Sequence, residues 1–149
     1  MDRTSIRLVT DRETINKVIF DTWVFDRTSD DHSQHITHNN FPYHKFLFLG
    51  GFVKAKIAAL YYQNAYRDGY MAHFQVLAPY RLEYARYFAK GFLDFIQPCS
   101  KKIYGEIPVL YKDYIHFVKK LGFREIETIE KNHLKKGVLY DSVLLVYEG

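Results

Sequence analysis

The sequence predicts a single α+β domain over residues 1–149, a mixed, mostly antiparallel sheet flanked by helices. Three observations carry this. Short β-rich runs alternate with three amphipathic helical stretches in the order β-α-β-β-β-α-β-α-β-β. Gly50-Gly51 separates two apolar alternating runs. The stretch Tyr70 to Ile96 passes from strand to helix at Pro79. No repeat, low-complexity tract or interdomain linker interrupts the order.

Taken in turn, Ser5 to Val9 alternates as a first strand. Thr10 and Glu13 fit a capping box, and Ile15, Val18, Ile19, Thr22 and Trp23 fall on one face of a helix from about Asp11 to about Phe25. The polar segment Asp26 to Asn40 reads as a long loop. Strands follow around Tyr43–Leu49 and Phe52–Gln63, with Gly50-Gly51 as their turn. Arg67-Asp68-Gly69 turns the chain into the strand Tyr70–Leu77, and a helix runs from Tyr80 or Arg81 to Ile96. Lys102–Ile107 is a short strand; Pro108 opens a helix from about Val109 to Leu121, stopped by Gly122. Arg124 to Asn132 and Tyr140 to Tyr147 close the chain as a hairpin across Lys135-Lys136-Gly137.

Composition narrows the function classes. With 48% hydrophobic and 26% charged residues the chain can bury a core, so disorder is excluded. One cysteine, Cys99, excludes an internal disulfide framework and a Cys-rich zinc site. No apolar run approaches the roughly 18 residues of a membrane span, and the N-terminus lacks a signal-peptide core, so a cytoplasmic protein is expected. A net charge of +4 favours anionic ligands without announcing nucleic acid.

Leu77-Ala78-Pro79-Tyr80-Arg81 at the strand–helix junction, Phe117-Val118-Lys119-Lys120-Leu121-Gly122-Phe123, and the apolar strand after Gly137 to Asp141 stand in an order that resembles the GCN5-related N-acetyltransferase (GNAT) superfamily. The likeness extends to small divergent members carried by bacteriophages, some of them head-assembly or internal virion proteins. It implies acetyl-coenzyme A as cofactor. Leu77 and Ala78 would meet the pantetheine, and Arg81, Leu82, Glu83, Tyr84, Ala85 and Arg86 the pyrophosphate. The family reads Q/R-x-x-G-x-G/A there, because small residues let backbone amides approach phosphate. Here Tyr84 and Arg86 hold the small positions. They crowd the pyrophosphate, or Arg86 pairs with it directly.

The family's acid tyrosine falls on Val118, which has no proton to give; its preceding Asn and Ala fall on Tyr111 and Tyr114, leaving a phenol such as Tyr111 as the candidate. For a base the candidates are His73, whose ordinary pKa suits the task, and Glu106 late in the fifth strand. Cys99 lies after the central helix, badly placed as an acyl carrier, so direct attack by the amine is expected. Asp30 and Asp31 fall on the acceptor side, where carboxylates meet a cationic amine. His32, His35 and His38 recur every third residue, a spacing some metal sites use, but in a polar segment without a rigid frame; no metal is expected.

Two functions of different class follow. One is an acyl-coenzyme A-dependent N-acyltransferase acting on a small-molecule or protein amine. The other is a non-catalytic phage protein that keeps the fold as a structural or interaction module for a phage or host protein and has lost the cofactor.

Overall fold

The computed structural model describes residues 3–33 and 36–149. One seven-stranded sheet runs β1-β2-β3-β4-β5-β7-β6, antiparallel throughout except where β4 meets β5. The strands are β1 Thr4–Leu8, β2 Leu47–Val53, β3 Lys56–Tyr66, β4 Gly69–Val76, β5 Ile103–Pro108, β6 Arg124–Lys135 and β7 Val138–Tyr147. Four α-helices, α1 Arg12–Ile19, α2 Thr22–Thr28, α3 Arg81–Ile96 and α4 Lys112–Leu121, cover it. The predicted element order and fold class hold.

Two cores sit on opposite faces. Tyr84, Phe88, Phe92 and Ile96 of α3 pack on Leu49, Val53, Ala59, Tyr61, Val76 and Ile103. On the other face Ile15, Val18 and Ile19 of α1 pack on Phe48, Phe52, Leu60 and Tyr62. Successive strand residues alternate faces, so Ile103 in the α3 core and Ile107 beneath α4 put both helices on one side of the sheet.

Several local expectations give way to packing. Gly50-Gly51 is no turn: both residues lie inside β2, paired with Leu60 and Ala59. A Cβ on Gly51 would stand 2.5 Å from a ring carbon of Phe88, so this glycine exists to let α3 sit close on the sheet. The turn falls instead at Lys54-Ala55, both with positive φ, where nothing in the residue types announces it. Tyr43–Lys45 is a turn of 3₁₀ helix, not a strand. The predicted helix from Asp11 to Phe25 is two helices, broken at Phe20 and Asp21. Asp11, rather than Thr10, caps α1 by accepting the Thr14 amide at 3.0 Å, and Asp21 caps α2 through the Val24 amide. Gly122 closes α4 at φ 114°, as expected. The last hairpin turns at Lys136-Gly137, its strands reaching closer to the turn than expected.

Candidate functional site

β4 and β5 are parallel neighbours for two pairs only, Tyr70↔Ile103 and Met71↔Tyr104. Beyond these they part. The break has a local cause: β4 runs into Pro79 and α3, while Pro108 ends β5 and delivers the chain to α4. The split opens a cleft of about 530 Å³ that passes through the sheet from the α3/α4 side to the α1/α2 side. The backbone of β4 lines it without a strand partner on that edge.

In the wall on the α3/α4 side, small residues of α3, Ala85 and Ala89, face larger ones such as Phe117 and Phe123. Arg81, Ala85, Ala89 and Leu93 recur every four positions along α3, so one helix stripe faces the cleft, with Ala72 and Gly105 opposite. Tyr84 is not part of that wall. It is only 3% exposed and lies in the α3 core against Phe88, with ring centroids 5.9 Å apart. The expectation that Tyr84 crowds the junction is therefore corrected: its side chain turns into the sheet. Arg86 and Glu83 face solvent, and Leu82 is 96% exposed. No side chain caps the N-terminus of α3, whose first turn ends the split. Arg81 and Arg27 both approach Trp23 of α2, with guanidinium carbons 5.9 and 4.9 Å from its ring, and mark one mouth of the cleft with positive charge.

Tyr114 reaches from α4 into the split and donates its hydroxyl to the Phe74 carbonyl at 3.0 Å. Burial pushes its ionisation well above the ordinary phenol range, so it stays protonated. Tyr111, just before α4, also lines the cleft; burial raises its ionisation too, and its ring stands 6.3 Å from that of His133.

On the α1/α2 side, period-two alternation places His73 and Gln75 together. His73 is a poor base for an ammonium. Its ring stacks on Tyr62 at 4.7 Å, its Nε2 lies 3.3 Å from Asn64 Oδ1, and burial lowers its pKa to about 4. Gln75 donates to the Tyr62 hydroxyl at 3.3 Å, leaving its buried Oε1 with no hydrogen-bond partner. Glu106 is exposed on the cleft wall.

The two aspartates separate. Asp30 lines the cleft, its carboxylate accepting from the His32 amide and the Ser33 hydroxyl. Asp31 lies off the cleft and accepts the backbone amides of Lys136 and Gly137 at 2.8 and 2.9 Å, bonds that hold its carboxyl below the usual range. It pins the β6–β7 turn, and its expected contact with a substrate amine is corrected to that structural role. Among the described residues no group of three His, Cys, Asp or Glu side chains comes together to hold a metal; His35 lies outside those residues. No helix among them is long and apolar enough to cross a membrane.

His133 of β6 completes the site, and sequence reading passed it over. It is 9% exposed, it lines the cleft, and its buried Nε2 has no hydrogen-bond partner. A lone histidine in the charged run Glu130-Lys131-Asn132-His133 carries no periodic signal, because the strand bulges just before it.

Comparison with solved structures gives the fold a counterpart. An acetyltransferase of the GNAT family from Streptococcus pneumoniae superposes with a TM-score of 0.74 at 14% identity, covering 97% of this chain and 98% of that one. The ribosomal-protein-S18-alanine N-acetyltransferase from Escherichia coli gives 0.72 at 12%, covering 97% and 93%. A third, yncA from Salmonella typhimurium, solved with its cofactor acetyl-CoA, gives 0.73 at 11%, again covering 97% and 93%. No family model and no curated protein matches the sequence. The chain has the fold of the GNAT acetyltransferases.

Proposed function

We propose that this chain is an acyl-coenzyme A-dependent N-acyltransferase, which moves an acetyl group to an amine by direct attack within the β4–β5 cleft. One observation supports it above the others. Among the described residues, two buried side-chain polar atoms lack a partner, Gln75 Oε1 and His133 Nε2, and both belong to residues lining this cleft. Such an atom costs about 1–3 kcal/mol when left unpaired, a cost a ligand in the cleft would remove.

The residues present fit the cofactor. Ala85 and Ala89 leave room along α3, the β4 edge past Met71 has no strand partner, and the α3 N-terminus with Arg81 suits phosphate. Leu77 and Ala78, expected at the pantetheine, lie outside the cleft lining: Leu77 packs in the α1 core and its backbone groups pair with Ala58 and Tyr80. The pantetheine would therefore run along residues 72–76 of β4, with Arg81 and the first α3 amides at the pyrophosphate. Exposed Arg86 is free to swing toward phosphate rather than crowd it. Acetyl-coenzyme A, when bound, supplies an activated thioester carbonyl. The neutral phenol of Tyr114, already in the split, is better placed than Tyr111 to give the leaving thiolate a proton. Asp30 and Glu106 put negative charge at the acceptor end, which draws a cationic amine and holds it there.

Tyr114 also favours a second reading. A large phenol bolted to the Phe74 carbonyl stands where the family carries a small residue, and it narrows the split. If the bolt stays shut, the fold serves as an interaction module for a phage or host protein.

Calorimetric titration with acetyl-coenzyme A separates the two. Micromolar binding is expected, weakened about tenfold or more by Arg81→Ala through the lost phosphate pairing and abolished by Ala85→Phe, which fills the wall. No heat at millimolar cofactor would rule the enzyme out and leave the module.

A further inference from the structure

β6 reaches the cleft by an irregularity. Ile129 pairs with Ser142 and His133 with Tyr140, so β6 spends four positions where β7 spends two. The extra residues form a bulge in which Lys131 adopts φ 47°, and its amide donates to Asp141 Oδ1 at 2.9 Å. Bulges of this kind re-aim a side chain next to a site. Beyond the bulge, Lys135 donates its ammonium to the carbonyls of Asp26 and Ser29, and Asp31 clamps the turn. The hairpin tip is thereby tied to the last turn of α2 and the segment after it, and His133, between the bulge and the tip, is held at the cleft wall.

Its surroundings are chemically specific. Cross-strand pairing puts His133 on the same sheet face as Tyr140 and Ser142. Glu106, opposite Leu144, shares that face. Glu106 comes from β5 and Asp30 and Asp31 from the segment after α2; all three carboxylates act on the ring. Lys135 acts on it from its own strand, Tyr111 stands beside it, and Tyr140 is its strand partner. Nothing else in the hairpin requires a histidine whose Nε2 bonds to nothing.

We infer that His133 is the proton acceptor for the incoming amine, an assignment that rests on the acyltransfer reading above. His133 takes one proton from the substrate ammonium. With an acyl thioester bound, the freed nitrogen lone pair would form the new C–N bond as the C–S bond breaks; Tyr114 would give its hydroxyl proton to the leaving thiolate and take the second N–H proton in its place. The imidazolium then returns its proton to water. Burial and Lys135 hold the ring below its usual pKa, but Asp30, Asp31 and Glu106 oppose that shift, a compensation that His73 lacks, so at neutral pH the ring is uncharged yet keeps more basicity than His73. Glu106 and Asp30 would stabilise the imidazolium once formed.

The test uses the full chain with acetyl-coenzyme A and butylamine as the acceptor probe. His133→Gln is expected to bind acetyl-coenzyme A as tightly as the parent while transferring at least tenfold more slowly at pH 7. The parent's kcat/KM is expected to rise with pH through a midpoint below 6.5, a limb missing from His133→Gln and shifted further down in Glu106→Gln. Histidine-selective NMR of the parent supplies a readout independent of turnover: the resonance absent from His133→Gln is expected to titrate below 6.5, and lower still in Glu106→Gln. Equal transfer by His133→Gln, or a ring that titrates at the ordinary value and ignores Glu106→Gln, would overturn the assignment. Failure of the parent to bind acetyl-coenzyme A would overturn the acyltransfer reading itself, and the assignment with it.

Discussion

Phe88→Ala is expected to lower the unfolding free energy by about 3–5 kcal/mol, a large share of the roughly 5–15 kcal/mol that a domain of this size has in hand. Phe88 is fully buried and sits at the centre of the α3 face. It stacks on Phe92, touches Tyr84 and Tyr87, and rests in the space that the missing Gly51 side chain leaves on β2. Truncation removes its burial and opens a cavity between a helix and a sheet that cannot close. The sheet here is spanned by hydrogen-bonded strands, and α3 is held by Phe92 and Ile96 farther along. Urea unfolding followed by far-ultraviolet circular dichroism measures the change. A midpoint within a few tenths of a molar of the parent would mean that α3 is not anchored through this ring. The consequence reaches the site, because Ala85 and Ala89 line the cleft only while α3 keeps its seat.

Acid is expected to destabilise the protein through His73, by up to about 3 kcal/mol between pH 6.5 and pH 4. The ring is neutral in the folded state down to about pH 4, whereas in the unfolded chain it binds a proton near 6.5. The unfolded state therefore holds more protons throughout that window, and stability rises with pH across it. It is fully present above the unfolded value and lost as pH falls toward the folded one. His73→Phe keeps the aromatic stack on Tyr62 and removes the titration, so its stability should be flatter over the same window, apart from the smaller share owed to His133. Denaturant curves of both proteins at pH 4.5 and 7 decide it; parallel losses in the two would mean that His73 is solvated and charged.

The element order was legible because it rests on features that survive folding unchanged: alternation in Tyr70 to Val76, the helical stripe of α3, Pro79 and Pro108 as breaks, and Gly122 as a stop. What was illegible rests on partners distant in sequence. Gly50-Gly51 looks like a turn until Phe88, some forty residues on, is seen to need the space. Tyr84 reads as an obstruction at a junction that wants glycine, yet one position of helix rotation sends it into the core and leaves Ala85 at the cleft. Asp30 and Asp31 are neighbours of equal charge, and only the β6–β7 turn, more than a hundred residues away, separates a cleft residue from a clamp. His133 was hidden by its bulge, which breaks the period-two pattern that would have assigned it a face.

The split between β4 and β5 is the centre of the account, and hydrogen–deuterium exchange with and without acetyl-coenzyme A tests it most directly. Bound cofactor is expected to slow exchange of the amides of residues 72–78 and of 81–86 while leaving β1 and β2 unchanged. Saturating cofactor with no protection in either segment, or protection confined to another part of the sheet, would contradict it.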